Sequence, residues 1–147
     1  MKDHRSIYVK EIGALVRFLH QRSFHDLWTQ PDRAGEWCGR PAPELAFLFA
    51  ALHRFTRRAE CLTLARQYLL EIERSAHFSA LFTFEAYTLL KEKLSAAERA
   101  KFARRRIADA REALSRYAPG DPRALYTQPT LHNHTLCACV MADLARR

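Results

Sequence analysis

Residues 130–140 read TLHNHTLCACV, with two histidines, an asparagine and two cysteines inside eight positions. Three kinds of chemistry suit such a set: metal ligation, acid–base catalysis, and the polar start of a helix. As ligands, His132, His134, Cys137 and Cys139 offer the imidazole and thiolate donors that zinc takes. His134 and Cys137 lie three apart and share a face of a helix, whereas Cys139, two beyond Cys137, faces elsewhere. Four ligands from this one segment would need broken helix geometry, and Cys38 or His25 would complete a site only by coincidence of fold. The expectation is no metal and no cofactor, with Cys137 and Cys139 as small core residues.

The catalytic reading starts from Pro129. It places Asn133 and His134 near the N-terminus of a last helix, where backbone N–H groups point outward and favour negative charge. A histidine there tends to stay neutral, as a general base should. The asparagine beside it can donate a hydrogen bond to an anionic group. Neutral base plus anion-holding amide is what proton abstraction next to a carboxylate requires. The competing reading is structural: asparagine is among the best N-caps, and the flanking histidine is then merely solvated.

The Asn-His step opening an apolar helix, HNHTLCACVMADLA, resembles the motif of the α/α-toroid polysaccharide lyases, the alginate lyase and heparinase II/III-like group. The texture of residues 43–147, with PELAFLFAAL and LSAAERAKF, resembles such a toroid too. The resemblance implies helical hairpins forming an incomplete barrel around a cleft, an acidic polysaccharide or oligouronate as substrate, and cleavage by β-elimination. It implies Asn133 as neutraliser of the uronate carboxylate, His134 as the base at C5, and a tyrosine acting on the glycosidic oxygen. In the family that tyrosine lies on a later hairpin. None follows His134 here, so Tyr126, in the loop just before, is the candidate. His132, Trp37 and Trp28 are the candidates for contacting the saccharide, although tryptophans at such places more often plug the end of a bundle. The family toroid has more hairpins and a β-domain after them. A partial toroid, inactive alone, is therefore expected, with the rest of a larger toroid or a second copy as partner.

The elements that must position these residues read as helices throughout. Residues 6–27 form a first helix whose inner stripe is Tyr8, Ile12, Leu15 and Leu19, widened by Val16, with Lys10, Arg17 and Gln21 facing away. A long loop, WTQPDRAGEWCGRPAP, holds three prolines, two glycines and both tryptophans. PELAFLFAALHRF is apolar nearly all round and reads as a buried helix begun by Pro43. If its neighbours do not cover residues 44–52, a partner or a self-copy must. A third helix buries Leu62, Ala65, Leu69 and Ile72. A fourth, from Phe78 to Leu94, turns Leu81, Phe84 and Leu89 inward. Ser95 and Glu98 form a capping box opening the fifth helix, with Ala103, Ile107, Ala110, Leu114 and Tyr117 inside. APGDP ends it, and the last helix runs from about 132 to 146. The expected class is all-α: one domain over residues 1–147, about six helices in antiparallel hairpins.

The chain's 147 residues and 48% hydrophobic content are enough for one buried core. Four cysteines without regular spacing point to reduced thiols. The N-terminus lacks the unbroken apolar run of a secretory signal, no window approaches a membrane span, and the chain as written reads as cytoplasmic. A net charge of +8 favours acidic partners. The basic run KFARRRIADAR is interrupted by Asp109 and flanked by Glu98 and Glu112, so it reads as a solvated face, and HRFTRRAE reads likewise. Nucleic acid is accordingly the less favoured partner. Two readings stand beside the lyase: a non-catalytic helical interaction domain, and a basic nucleic-acid-binding module.

Overall fold

A computed structural model describes residues 4–21, 42–72, 77–116 and 129–147. Trp28, Trp37 and Tyr126 lie outside these residues. His132, Asn133 and His134 lie within the last helix, but their side chains are outside the described set. The described chain is all-α. Its helices are α1 (His4–Gln21), α2 (Ala42–Thr56), α3 (Ala59–Glu71), α4 (His77–Leu90), α5 (Ala96–Arg116) and α6 (Pro129–Arg146), with a 3₁₀ turn at Lys91–Lys93 after α4.

The helix α2 is the hub. It buries Ala42, Pro43, Leu45, Ala46, Phe49, Ala50 and Leu52, and it packs against α1, α3 and α4. A helix apolar all round must be enclosed. Here the chain's own helices enclose it, so α2 needs no partner. A two-residue turn joins α2 to α3 as a hairpin. Arg57 takes the left-handed conformation (φ 58°) that ends many helices. Its N–H donates to the His53 carbonyl at 2.8 Å. The His53 Nδ1 donates to the Arg58 carbonyl at 2.9 Å and steadies the turn.

The second half is a hairpin of α5 and α6, joined to the hub through α4. Along α4 the buried residues are Ala80, Thr83, Ala86, Tyr87 and Leu90. Phe84 and Leu89 pack partly against the core, as expected, but Leu81 is exposed. The inner face is one step round from the stripe that the leucines suggested, because the aromatic Tyr87 takes the centre. It stacks on Phe102 of α5 with ring centroids 4.6 Å apart. On α5, Ala110 is buried as expected, yet Phe102 and Arg106 rather than Leu114 complete the inner face. On α3, Ala65, Leu69 and Ile72 are buried and Leu62 packs against them, as their spacing predicts.

The basic run differs most from expectation. Arg106 is fully buried. Its Nη2 donates to the Ile72 carbonyl at 2.9 Å and lies 3.1 Å from the Asp109 carboxylate. Burial pulls its pKa down, and Asp109 opposes that pull. Arg105 donates to the Leu70 carbonyl. Helix C-termini leave carbonyls without intrahelical partners. Two consecutive arginines of α5 therefore finish the end of α3. Arg99 similarly donates to the Leu94 carbonyl at 2.9 Å. Lys101, Arg104 and Arg111 are exposed, as a solvated face requires.

The capping box is formed. The Glu98 N–H donates to Ser95 Oγ at 3.2 Å, and the Ser95 N–H donates to Glu98 Oε2 at 2.7 Å. Glu98 also accepts two hydrogen bonds from Arg66 of α3, at 2.7 and 2.8 Å. The Ser95 backbone N–H, the Arg66 bonds and the Ser95 hydroxyl hold its pKa down to about 2. A carboxylate whose pKa falls on folding stabilises the fold above its unfolded value and loses that contribution as pH drops through the folded value. Glu98→Ala is expected to cost about 1–2 kcal/mol at pH 7, discounted for its partial exposure. The gap from the wild type should close between about pH 4.5 and 2 when urea midpoints are compared across pH.

Candidate functional site

The face that stands out is on α1. Its buried residues are Gly13 and Val16, with Val9 and Leu19 packed partly against the core. Tyr8, Ile12 and Leu15, three members of the expected inner stripe, point outward. Of that stripe, Leu19 alone packs against the core. The helix carries more apolar residues than one face can hold, and α2 takes the side of Val9, Gly13 and Val16. A Cβ added at Gly13 would lie 3.8 Å from Leu52 Cδ2, an ordinary contact.

That inner side is fastened at both ends. Near the N-terminus Arg5 lies over the Phe55 ring, 5.1 Å from its centroid. Near the C-terminus His20 Nδ1 and the Tyr68 hydroxyl share a hydrogen bond of 2.6 Å. The His20 ring meets Phe49 edge-on, and Phe49 stacks on Tyr68. This aromatic group ties α1 to both α2 and α3.

The outer side carries Ile7, Tyr8, Ile12, Leu15 and Phe18, with Tyr8 68% and Leu15 53% exposed. Five such side chains leave on the order of 500 Å² of apolar surface open, a size at which a surface patch is commonly functional. Tyr8, Ile12, Leu15 and Leu19 follow a 4-3-4 spacing, the seam that packs one helix against another. Within the face sits Glu11, exposed. Helical geometry places Ile7, Tyr8, Leu15 and Phe18 around it, at i−4, i−3, i+4 and i+7. His4 lies two turns before it, at the margin. Glu11 was not singled out from the sequence. The signal was available as a lone carboxylate amid apolar residues at helical spacing.

The HNH segment is placed differently from expectation. The last helix begins at Pro129 rather than near 132, because proline suits the first helical position. Asn133 thus lies in the second turn and is not the N-cap. The open N–H groups belong to the turn before it. The helix continues unbroken through Cys137 and Cys139, which stand about 200° apart on it. Both are half-buried, and Cys139 packs beside Ala110, Ala138 and Ala142. Burial pushes the Cys137 thiol up, away from the thiolate form. Among the described residues no group of three or more His, Cys, Asp or Glu could hold a metal ion. No described helix is long and apolar enough to cross a membrane.

Fold and face together define a class: the described residues form an all-helical fold with a buried core and an α1 that exposes apolar residues on the side turned from it. No family model matches the chain, and no curated protein or solved structure does.

Proposed function

We propose that this chain is a helical interaction domain whose outer α1 face receives a helix from another protein. The observation that carries the reading is the run of Ile7, Tyr8, Ile12 and Leu15, exposed on a helix whose other side packs on the core. Open apolar surface of this extent is stabilised by burial against a partner, and the seam spacing suits a helical one. The test is fluorescence-anisotropy titration of a labelled amphipathic helix of about 20 residues with leucines at seam positions. The wild type is expected to bind it at least about tenfold more tightly than Leu15→Glu. Leu15 is exposed, so thermal unfolding of that variant should stay within about 0.5 kcal/mol of the wild type. Equal binding by both proteins, or binding by neither, would overturn the reading.

A further inference from the structure

We infer that the turn between α2 and α3 binds single-stranded nucleic acid, with Arg54, Arg57 and Arg58 on its phosphates and a base stacked on Phe55. The inference goes beyond the helix-docking reading and uses a different surface.

Phe55 lies in the last turn of α2 and is 51% exposed. It is the one large apolar side chain that α2 and α3 expose. The Arg5 guanidinium of α1 lies 5.1 Å from its ring centroid. Arg54 precedes Phe55, and Arg57 and Arg58 follow it. All three are exposed, and none forms an ion pair. Four arginines from two parts of the chain thus meet at one exposed ring. The segment HRFTRRAE alone does not show this, because α1 supplies Arg5. The acids of these three helices leave the excess standing. Glu60 is nearby but pairs with none of the arginines. Glu44 and Glu71 stand at the opposite ends of α2 and α3. Glu11 stands on the side of α1 turned from Arg5, and Lys10 and Arg17 lie further along that helix. An excess of positive charge favours a phosphate-bearing partner. Arg57 adds a backbone observation. Its φ of 58° is a conformation that glycine takes without the Cβ penalty. The Arg57 side chain makes no hydrogen bond or ion pair that would offset that strain. Strain of this kind clusters at ligand sites.

A basic turn can meet three phosphate surfaces. Adsorption to an anionic membrane needs several apolar side chains beside the cations. Here Phe55 stands alone, since the apolar run of α1 is turned away from α2. A duplex keeps its bases stacked inside, which leaves the ring no base to take. A single strand offers phosphates and open base faces together, and bases stack on aromatic rings and on arginine planes.

The test is fluorescence-anisotropy titration of labelled oligouridine and oligothymidine strands of about 15 nucleotides. The wild type is expected to bind one or both, with affinity falling on the order of twentyfold between about 50 and 200 mM salt, as contact with roughly three phosphates dictates. Phe55→Ala should weaken binding about tenfold. Arg57→Gly should lower the slope of log affinity against log salt by about 0.7. Its thermal midpoint should equal or exceed that of the wild type, so its loss of binding is not a loss of fold. Arg104→Ala/Arg111→Ala removes two exposed cations of α5 and should leave binding unchanged. Circular dichroism confirms that every variant is folded. No binding to either strand, wild-type affinity in Phe55→Ala or in Arg57→Gly, or an equal loss in the α5 double variant would overturn the inference. Tighter binding to a duplex of the same length, or adsorption to phosphatidylcholine–phosphatidylserine vesicles that Arg57→Gly weakens, would overturn it in favour of a duplex or a lipid surface.

Discussion

Replacing Phe102 by alanine is expected to lower the unfolding free energy by about 3–5 kcal/mol. The ring is 2% exposed. It stacks nearly parallel on Tyr87, with planes 7° apart. The Arg106 guanidinium also lies 5.4 Å from its centroid. Truncation removes the buried ring, leaves a cavity between α4 and α5, and takes away one support of a buried charge. Phe102→Leu, which keeps most of the apolar volume, should cost about 1–2 kcal/mol. Urea unfolding checks both: the midpoint falls in each case, further for alanine, while the slope stays constant. A midpoint unmoved by Phe102→Ala would mean that the ring carries no packing load.

Arg106→Ala follows closely, at about 3 kcal/mol or more. The side chain is wholly buried, donates to the Ile72 carbonyl and forms an ion pair with the Asp109 carboxylate. Removing it strips the cation from a carboxylate that is only 17% exposed. Truncating one member of a buried pair costs more than replacing both members by apolar groups. The double variant Arg106→Met/Asp109→Leu is therefore expected to be more stable than Arg106→Ala, despite carrying an extra change. The same urea series measures this. A double variant less stable than the single would show that Asp109 is not the source of the loss when Arg106 is removed. Because Phe102 and Arg106 touch, their two losses should not add.

Much of the fold can be read from the residues, and the reasons are local. The apolar period of Ala65, Leu69 and Ile72, the Ser95–Glu98 box, and the nearly all-round apolarity of residues 44–52 each state a preference that tertiary packing agrees with. The face of α1 could not be read that way. Tyr8–Ile12–Leu15–Leu19 and Val9–Gly13–Val16 are both helical stripes. The choice between them is made by tertiary packing, and α2 takes the second. Leu81 and Leu114 misled for a related reason. Periodicity ranks leucines as inward, whereas the space between α4 and α5 is filled by Tyr87, Phe102 and Arg106. Nothing in KFARRRIADAR announces that one of three successive arginines is buried, since the carbonyls it serves lie more than thirty residues earlier. For the candidate site, the leucine-type seam was visible in the sequence, but its outward direction was not. In the HNH segment, Pro129 was recognised as lying next to the last helix but not as its first residue.

The finish of α3 by Arg105 and Arg106 also bears on how the chain reaches its shape. An isolated segment 59–72 has only water for its last carbonyls, so its final turn frays. That turn becomes persistent when α5 arrives, bringing donors from some 34 residues downstream. Short helical hairpins ordinarily form early and independently because their contacts are close in sequence. Here carbonyls at the end of one such hairpin take their donors from the later half of the chain. The two halves are thereby expected to unfold together, with coincident urea curves by fluorescence and circular dichroism.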